Sequence, residues 1–253
     1  MLPEKAGKPA PKKFALLTLL LITIMAMCLS AGCAHKPDQE KTAEQLAEEG
    51  TNEFEEGHYQ KAIEAFENLQ DWYPFSQYAI LADLKIPDAY FEMKEYDSAV
   101  SAYETFERLH PRNEALPFVI YRIGLCHFKQ LDTIDRDQSP AEKAIEAFTR
   151  LRRQFPDSEY SAKAGELIER SRQSLADHHL YVGKFYYKSK HYQAAQNRFE
   201  KVVREYEDVG DVETAREYLD KCRQKLAEEE TIVPVPTDAP EVETEAADDE
   251  EKD

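Results

Sequence analysis

A spacing of alanine and aromatic residues recurs four times along this chain and leaves few folds open to it. Tyr59, Ala62 and Phe66 are followed by Pro74, twelve residues past the alanine. Tyr96, Ala99, Tyr103 and Pro111 repeat the spacing, as do Ala141, Ala144, Phe148 and Pro156. Tyr192, Ala195 and Phe199 give it once more, with Glu207 where the proline would stand. On a helix, residues four apart share a face, so the alanine and the aromatic point the same way. The small alanine lets two antiparallel helices approach closely, the aromatic fills the next groove, and the proline ends the helix. A second alignment precedes each of three tyrosines: Phe54 before His58–Tyr59, Phe91 before Glu95–Tyr96, Tyr187 before His191–Tyr192. Gly57 suits the intervening turn because it accepts a positive φ; Lys94 and Lys190 hold the same place less comfortably.

This cadence is the second-helix half of a tetratricopeptide-type repeat. Alternating apolar runs are scarce, so the expected fold is an all-α, tetratricopeptide-like helical-repeat solenoid of four to five repeats. The key alanines are unevenly spaced: 62 to 99 is 37, 99 to 144 is 45 and 144 to 195 is 51, against 34 for a plain repeat. An insert, Leu131 to Pro140, accounts for the 45, because its acidic core Asp132–Asp137 cannot continue an amphipathic helix. No breaker lies between Glu159 and Lys190, so one helix of about 31 residues, roughly 46 Å long, is expected there. Pro87 falls inside a helix and is expected to kink it. Asp211 to Glu229 reads as a last amphipathic helix, and residues 230–253, with Pro234, Pro236 and an acidic run, read as a disordered tail.

The net charge of −18 argues against nucleic acid as a partner. Residues 238–253 hold nine acids against Lys252, so much of that charge is local to the tail. At the other end, Lys5, Lys8, Lys12 and Lys13 precede an apolar run from Phe14 to Leu29, then Ser30, Ala31, Gly32 and Cys33. Two readings are open: a membrane-spanning anchor, near the required length of about 20 residues, and a lipoprotein signal peptide, residues 1–32, closing on a lipobox. The second is favoured, although Ser30 stands where the motif usually carries leucine. Cys33 would then carry N-acyl and S-diacylglycerol groups, residues 33–41 would be a lipidated tether, and no other cofactor is expected. Acyl chains burying methylenes at about 0.8 kcal/mol each hold a protein on a membrane without a spanning helix. Ala34 permits delivery to the outer membrane. Cys126 and Cys222 read as buried apolar fillers rather than a bridge.

Catalytic constellations are missing from the sequence. The eight glycines are dispersed, giving no phosphate loop, and adjacent His178 and His179 diverge by about 100° on a helix, so they do not converge on one metal ion. An enzyme is not expected. The junction Tyr73-Pro-Phe75-Ser76-Gln-Tyr78 is mirrored by Phe155-Pro-Asp-Ser158-Glu-Tyr160. Proline stops one helix and Ser76 or Ser158 is expected to cap the next. Tyr73, Phe75, Tyr78 and Tyr90 are the candidates for contacting a substrate peptide, with inter-repeat packing the competing reading for Tyr78. Arg198, beside Asn197, should project from a flank of its helix, as a solvated cation or as a planar fork for a partner's carboxylate.

With the lipobox, the repeats, the paired junctions, the Asp135-Arg136-Asp137-Gln138 insert and the Leu175–Tyr187 segment in view, the chain resembles the BamD family over roughly Ala43 to Asp208. That resemblance implies a lipid-anchored adaptor at the periplasmic face of the outer membrane, in a complex that assembles β-barrel proteins. Its partners would be the barrel-forming subunit, through that subunit's periplasmic domains, and unfolded outer-membrane protein precursors. Residues 42–156 would form the substrate-side module and 157–229 the docking module, with Asn197 and Arg198 at the docking end. The fifth repeat is reduced here to one helix, and the acidic tail has no family counterpart. Read from the residues alone, a pilot lipoprotein for a secretin or type IV pilus and a cell-envelope organiser remain open.

Overall fold

The structure is a computed structural model that describes residues 41–232. The expected signal peptide, Cys33 and the expected tail beyond Ile232 lie outside the described residues. Within them run nine helices and no strand: α1 Ala43–Glu55, α2 Tyr59–Trp72, α3 Ala79–Glu92, α4 Tyr96–Leu109, α5 Leu116–Lys129, α6 Ser139–Gln154, α7 Glu159–Lys188, α8 Tyr192–Glu205 and α9 Val212–Ile232. Each helix packs against the next in sequence, and α1 also meets α3, α5 meets α7, and α7 meets α9. That is the contact pattern of stacked helical hairpins, in which every unit buries its apolar face against its neighbours. The fold is the all-α helical repeat the spacing implies.

The alanine of each cadence is fully buried: Ala62, Ala99, Ala144 and Ala195, together with Phe66, Tyr103, Phe148 and Phe199 four residues on. The aromatic before each turn meets the tyrosine after it edge to face: Phe54–Tyr59 at 5.4 Å, Phe91–Tyr96 at 5.5 Å and Tyr187–Tyr192 at 5.5 Å between centroids. Edge-to-face pairs at this separation match the ring quadrupoles and pin the hairpin angle. The turns carry positive φ at Gly57 (80°), Lys94 (63°) and Lys190 (63°). Cys126 and Cys222 are buried free thiols, and burial pushes the Cys126 thiol up to about 12.

The expected long helix is α7, at 30 residues. Its first half buries Ala164 and Leu167 against Phe148 and Leu151 of α6, and its second half buries Leu180 against Phe199 of α8 and Leu219 of α9. Leu175 and Ala176 lie between, against Ala141 and Tyr206. The insert folds back as a structured loop. Buried Gln138 donates through Nε2 to the carbonyls of Thr133 (3.2 Å) and Arg136 (3.1 Å), and its Oε1 accepts from Ser174 Oγ of α7 at 3.0 Å.

Three expectations are corrected. The last helix runs through Ile232, so residues 230–232 are helical rather than part of the tail. Ser158 does cap α7, accepting from the Tyr160 amide, but Ser76 does not cap α3. Its hydroxyl accepts from the Tyr78 amide at 2.9 Å within a longer turn, and α3 begins only at Ala79. Arg198 does not project free; it is half-buried against α7.

Candidate functional site

The first three hairpins leave two open grooves side by side. One, about 640 Å³, lies among α2, α3 and α4. Its apolar wall is Ile86, Pro87, Ala102 and Phe106; Glu67, Tyr90, Asp97, Ser98, Ser101 and Thr105 make the rest of the lining polar, up to the closed end. Pro87 explains part of this shape. It stands four residues before Phe91, where the other first helices carry Gly50, Gly124 and Gly183 four residues before Phe54, Phe128 and Tyr187. Those glycines are filled by the facing rings: a Cβ on Gly50, Gly124 or Gly183 would stand 2.7, 2.5 or 2.7 Å from Phe66, Phe148 or Phe199. Proline's ring instead adds to the groove wall. Helix α3 runs from Ala79 to Glu92 through it, although proline removes one amide donor from the helix interior.

At the α2–α3 end the groove closes on Gln70 and Asp83. Gln70 Nε2 donates to Asp83 Oδ1 at 2.5 Å, and His110 Nε2 lies 2.7 Å from Asp83 Oδ2. Tyr90 is half-buried, and burial first, then the carboxylates of Glu67 and Glu95, raises its pKa. Its hydroxyl therefore stays protonated and can donate to a carbonyl. The second groove, about 530 Å³ among α4, α5 and α6, is lined by both signs of charge: Glu104, Glu107 and Glu146 with Lys143 and Arg150.

A polar node joins α3, α4 and α5. Tyr103 Oη donates to Asp88, Arg122 Nε donates to Tyr103 Oη at 2.8 Å, and Arg122 Nη2 lies 3.1 Å from Asp88 Oδ1. The Arg122 guanidinium stacks 3.7 Å over the Phe91 ring. Burial and the neighbouring Asp88 carboxylate push the Tyr103 phenol well above its ordinary value.

The four substrate-side candidates divide. Tyr73, Tyr78 and Tyr90 all pack against the first core cluster, but only Tyr90 also lines the groove. Phe75 is fully exposed on the α2–α3 turn, outside the groove lining. Among the docking candidates, Asn197 is exposed and accepts from Gln193 Nε2 at 3.4 Å, while Arg198 Nη1 lies 3.1 Å from His179 Nδ1. His179 is only 6% exposed, and His178 Nδ1 lies 2.6 Å from the Ile134 carbonyl of the insert. The two histidines thus serve the α7–α8 seam and the insert separately. Among the described residues the grouping nearest to a metal-ligand set is Glu53, Glu56 and His58 at the first turn, where His58 Nδ1 lies 2.9 Å from Glu53 and 3.3 Å from Glu56.

Burial first, then the charges of Lys201 and Arg198, pushes the His179 pKa down from 6.5 to about 4. The folded state therefore holds a neutral ring that the unfolded chain would protonate. Stability from this group is complete above about pH 6.5 and falls by about 3 kcal/mol as the pH drops toward 4. His179→Gln, which keeps an acceptor for Arg198, is expected to flatten that decline. Urea melts at about pH 7 and about pH 4.5 read the difference directly; an unaltered pH slope would show that His179 is not its source.

Residues 39–233 match the family described as YfiO, outer membrane lipoprotein. The chain belongs to that family. Its curated relatives include the outer membrane protein assembly factor BamD of Neisseria meningitidis serogroup A, 30% identical over 227 residues and covering 85% of each chain. The BamD of Vibrio cholerae serotype O1 is 29% identical over 209 residues, 78% of this chain and 86% of its own. The resemblance read from the repeats and the insert therefore holds. Among solved structures, a thermophilic tetratricopeptide protein of Thermus thermophilus overlaps 74% of this chain and 100% of its own at 14% identity, with a TM-score of 0.40.

In this YfiO-family chain, two features escaped the sequence reading. Gly50, Gly124 and Gly183 were legible as a fixed offset before an aromatic, once that offset was sought. The Asp88–Tyr103–Arg122 node was not, because its members are distant in sequence and each looks like an ordinary surface charge or core ring. Among the described residues, no helix is long and apolar enough to cross a membrane.

Proposed function

We propose that this protein is a non-catalytic, lipid-anchored adaptor of outer-membrane β-barrel assembly, binding the barrel-forming subunit and presenting unfolded barrel precursors to it. The relatives' name as assembly factors supports the setting. The observation that carries the mechanism is the groove among α2, α3 and α4, with Tyr90 over an apolar wall. An extended segment fits such a groove by placing an aromatic side chain against Ile86, Pro87 and Phe106 while Tyr90 donates to its backbone. The Gln70–Asp83–His110 cluster closes one end, which limits how far the segment slides. Phe75 and its turn lie beyond that closure and take no part in the seat. Tyr73 and Tyr78 shape it from behind, by packing. Modest affinity suits a chain that must be handed on. Tyr90→Ala is expected to weaken binding of an aromatic-ended precursor peptide about tenfold, or about 1.4 kcal/mol; fluorescence anisotropy with unchanged affinity would move the seat elsewhere.

The docking end we place at α8. Arg198 lies against His179 and is only half-buried, which supports reading it as a fork pre-set for a carboxylate on the barrel subunit. Arg198→Glu should release that subunit in pull-down from detergent-solubilised envelopes. A complex that survives the reversal places docking on another surface.

A further inference from the structure

Alternating short turns put the starts of α1, α3, α5 and α7 at one edge of the stack, together with the ends of α2, α4 and α6. Side chains confirm the juxtaposition: Gln70 and His110 both meet Asp83, and the Phe118 and Tyr160 rings, at the starts of α5 and α7, lie 5.7 Å apart. Four large apolar side chains stand exposed along this edge within the first two repeats. They are Trp72 in the last turn of α2, Phe75 in the following turn, Ile80 in the first turn of α3 and Leu109 at the end of α4. Phe75 makes no use of its ring inside the protein, and a turn that merely connected two helices would not need one.

The edge is also where the described chain begins. Ala43 opens α1 there, and the nine residues 34–42 separate it from Cys33, a span of ten residue steps. Fully extended, such a length reaches at most roughly 33–36 Å. We propose that this edge rests on the lipid bilayer, with Trp72, Phe75, Ile80 and Leu109 entering the headgroup–acyl boundary beside the anchor. This rests on the reading that Cys33 is acylated. Tryptophan and other amphipathic or apolar side chains favour that boundary, and a single lipid-modified point leaves orientation free unless a second contact fixes it. Exposed Arg108 and Arg112 are offset by Asp71 and Glu114 on the same edge, so the attraction is apolar and should persist on uncharged lipid and at high salt. With the edge on the membrane, the neighbouring groove is held at a fixed height above it.

Trp72 is the chain's single tryptophan, so its fluorescence reports on this edge alone. The mature lipidated protein is bound to phosphatidylcholine vesicles, with and without brominated acyl chains. Flotation with the vesicles reads the anchor. Trp72 emission moving to shorter wavelength, with quenching by brominated lipid, reads the edge. A Cys33→Ser chain, held by an N-terminal histidine tag on nickel-chelating lipid, repeats the second readout without acylation. We expect the shift and the quenching in both forms, and their loss in Phe75→Asp and Leu109→Asp chains that still float. Failure to float would sink the acylation reading alone. Trp72 remaining in a water-like environment on the vesicle, or shifting only with protein concentration or with added barrel subunit, would overturn the proposal in favour of solvent, a second copy or a protein partner.

Discussion

Gly124→Ala should destabilise this protein far more than a glycine-to-alanine change in a helix ordinarily does. By propensity alone the substitution would be favourable, by up to about 1 kcal/mol. Here the new Cβ would stand 2.5 Å from the Phe148 ring, and further carbons of that ring lie at 2.6 and 2.9 Å. Phe148 is fully buried among Ile120, Leu151 and Ala164, so its ring can give way only by displacing core neighbours. Overpacking of this kind costs about 1–3 kcal/mol, against the propensity gain. Thermal melts should fall by roughly 2–4 °C for each kcal/mol in a chain of this size. Phe148→Leu, destabilising by itself, should lose its cost in part when combined with Gly124→Ala, because each change makes room for the other. The same pairing is expected at Gly183 with Phe199, where the approach is 2.7 Å. A stabilised Gly124→Ala protein would mean that α5 and α6 stand further apart than described.

Arg122→Ala is the second large effect. Arg122 and Asp88 are mostly buried, with side chains 14% and 16% exposed, and they share Tyr103 Oη between them. Removing the cation leaves a half-buried carboxylate with only a phenol for company and uncovers the Phe91 face. Breaking a buried pair costs about 3–5 kcal/mol when fully desolvated; at this partial exposure about 2–3 kcal/mol is expected. Arg122→Met, which restores cover over Phe91 without the charge, should recover part of it. Asp88→Ala combined with Arg122→Ala should cost little more than Arg122→Ala alone, since the stranded charge is then gone. Fully additive costs in denaturant melts would show the three residues to be independent.

What the sequence disclosed follows from periodicity, and what it withheld follows from distance. Ala62 and Phe66, or Ala195 and Phe199, lie one helical turn apart, so their shared face could be read directly, as could the left-handed turns at Lys94 and Lys190. The long helix α7 was legible from the lack of any breaker after Glu159. The contact of Arg198 with His179 was not legible, because His179 sits nineteen residues earlier and only the fold brings α7 and α8 together. Gln138 was legible as part of a family-specific insert, but its role in fastening the insert to Ser174 depends on a contact thirty-six residues away. Tyr90 entered as one of four aromatic candidates; the groove that separates it from Phe75 is made by three helices at once. The N-terminal motif at Cys33 could be read only as a motif.

Presentation of a precursor depends on the α2–α3–α4 groove being where its chain is held. A photo-reactive amino acid placed at Ala102, in the groove wall, tests this most directly in living cells. It should crosslink to unfolded outer-membrane barrel precursors, and Tyr90→Ala in the same chain should strongly reduce the adduct while the protein remains folded. Crosslinks that form equally with the Tyr90→Ala substitution present, or that never form at Ala102 but appear from the second groove at Glu146, would contradict it.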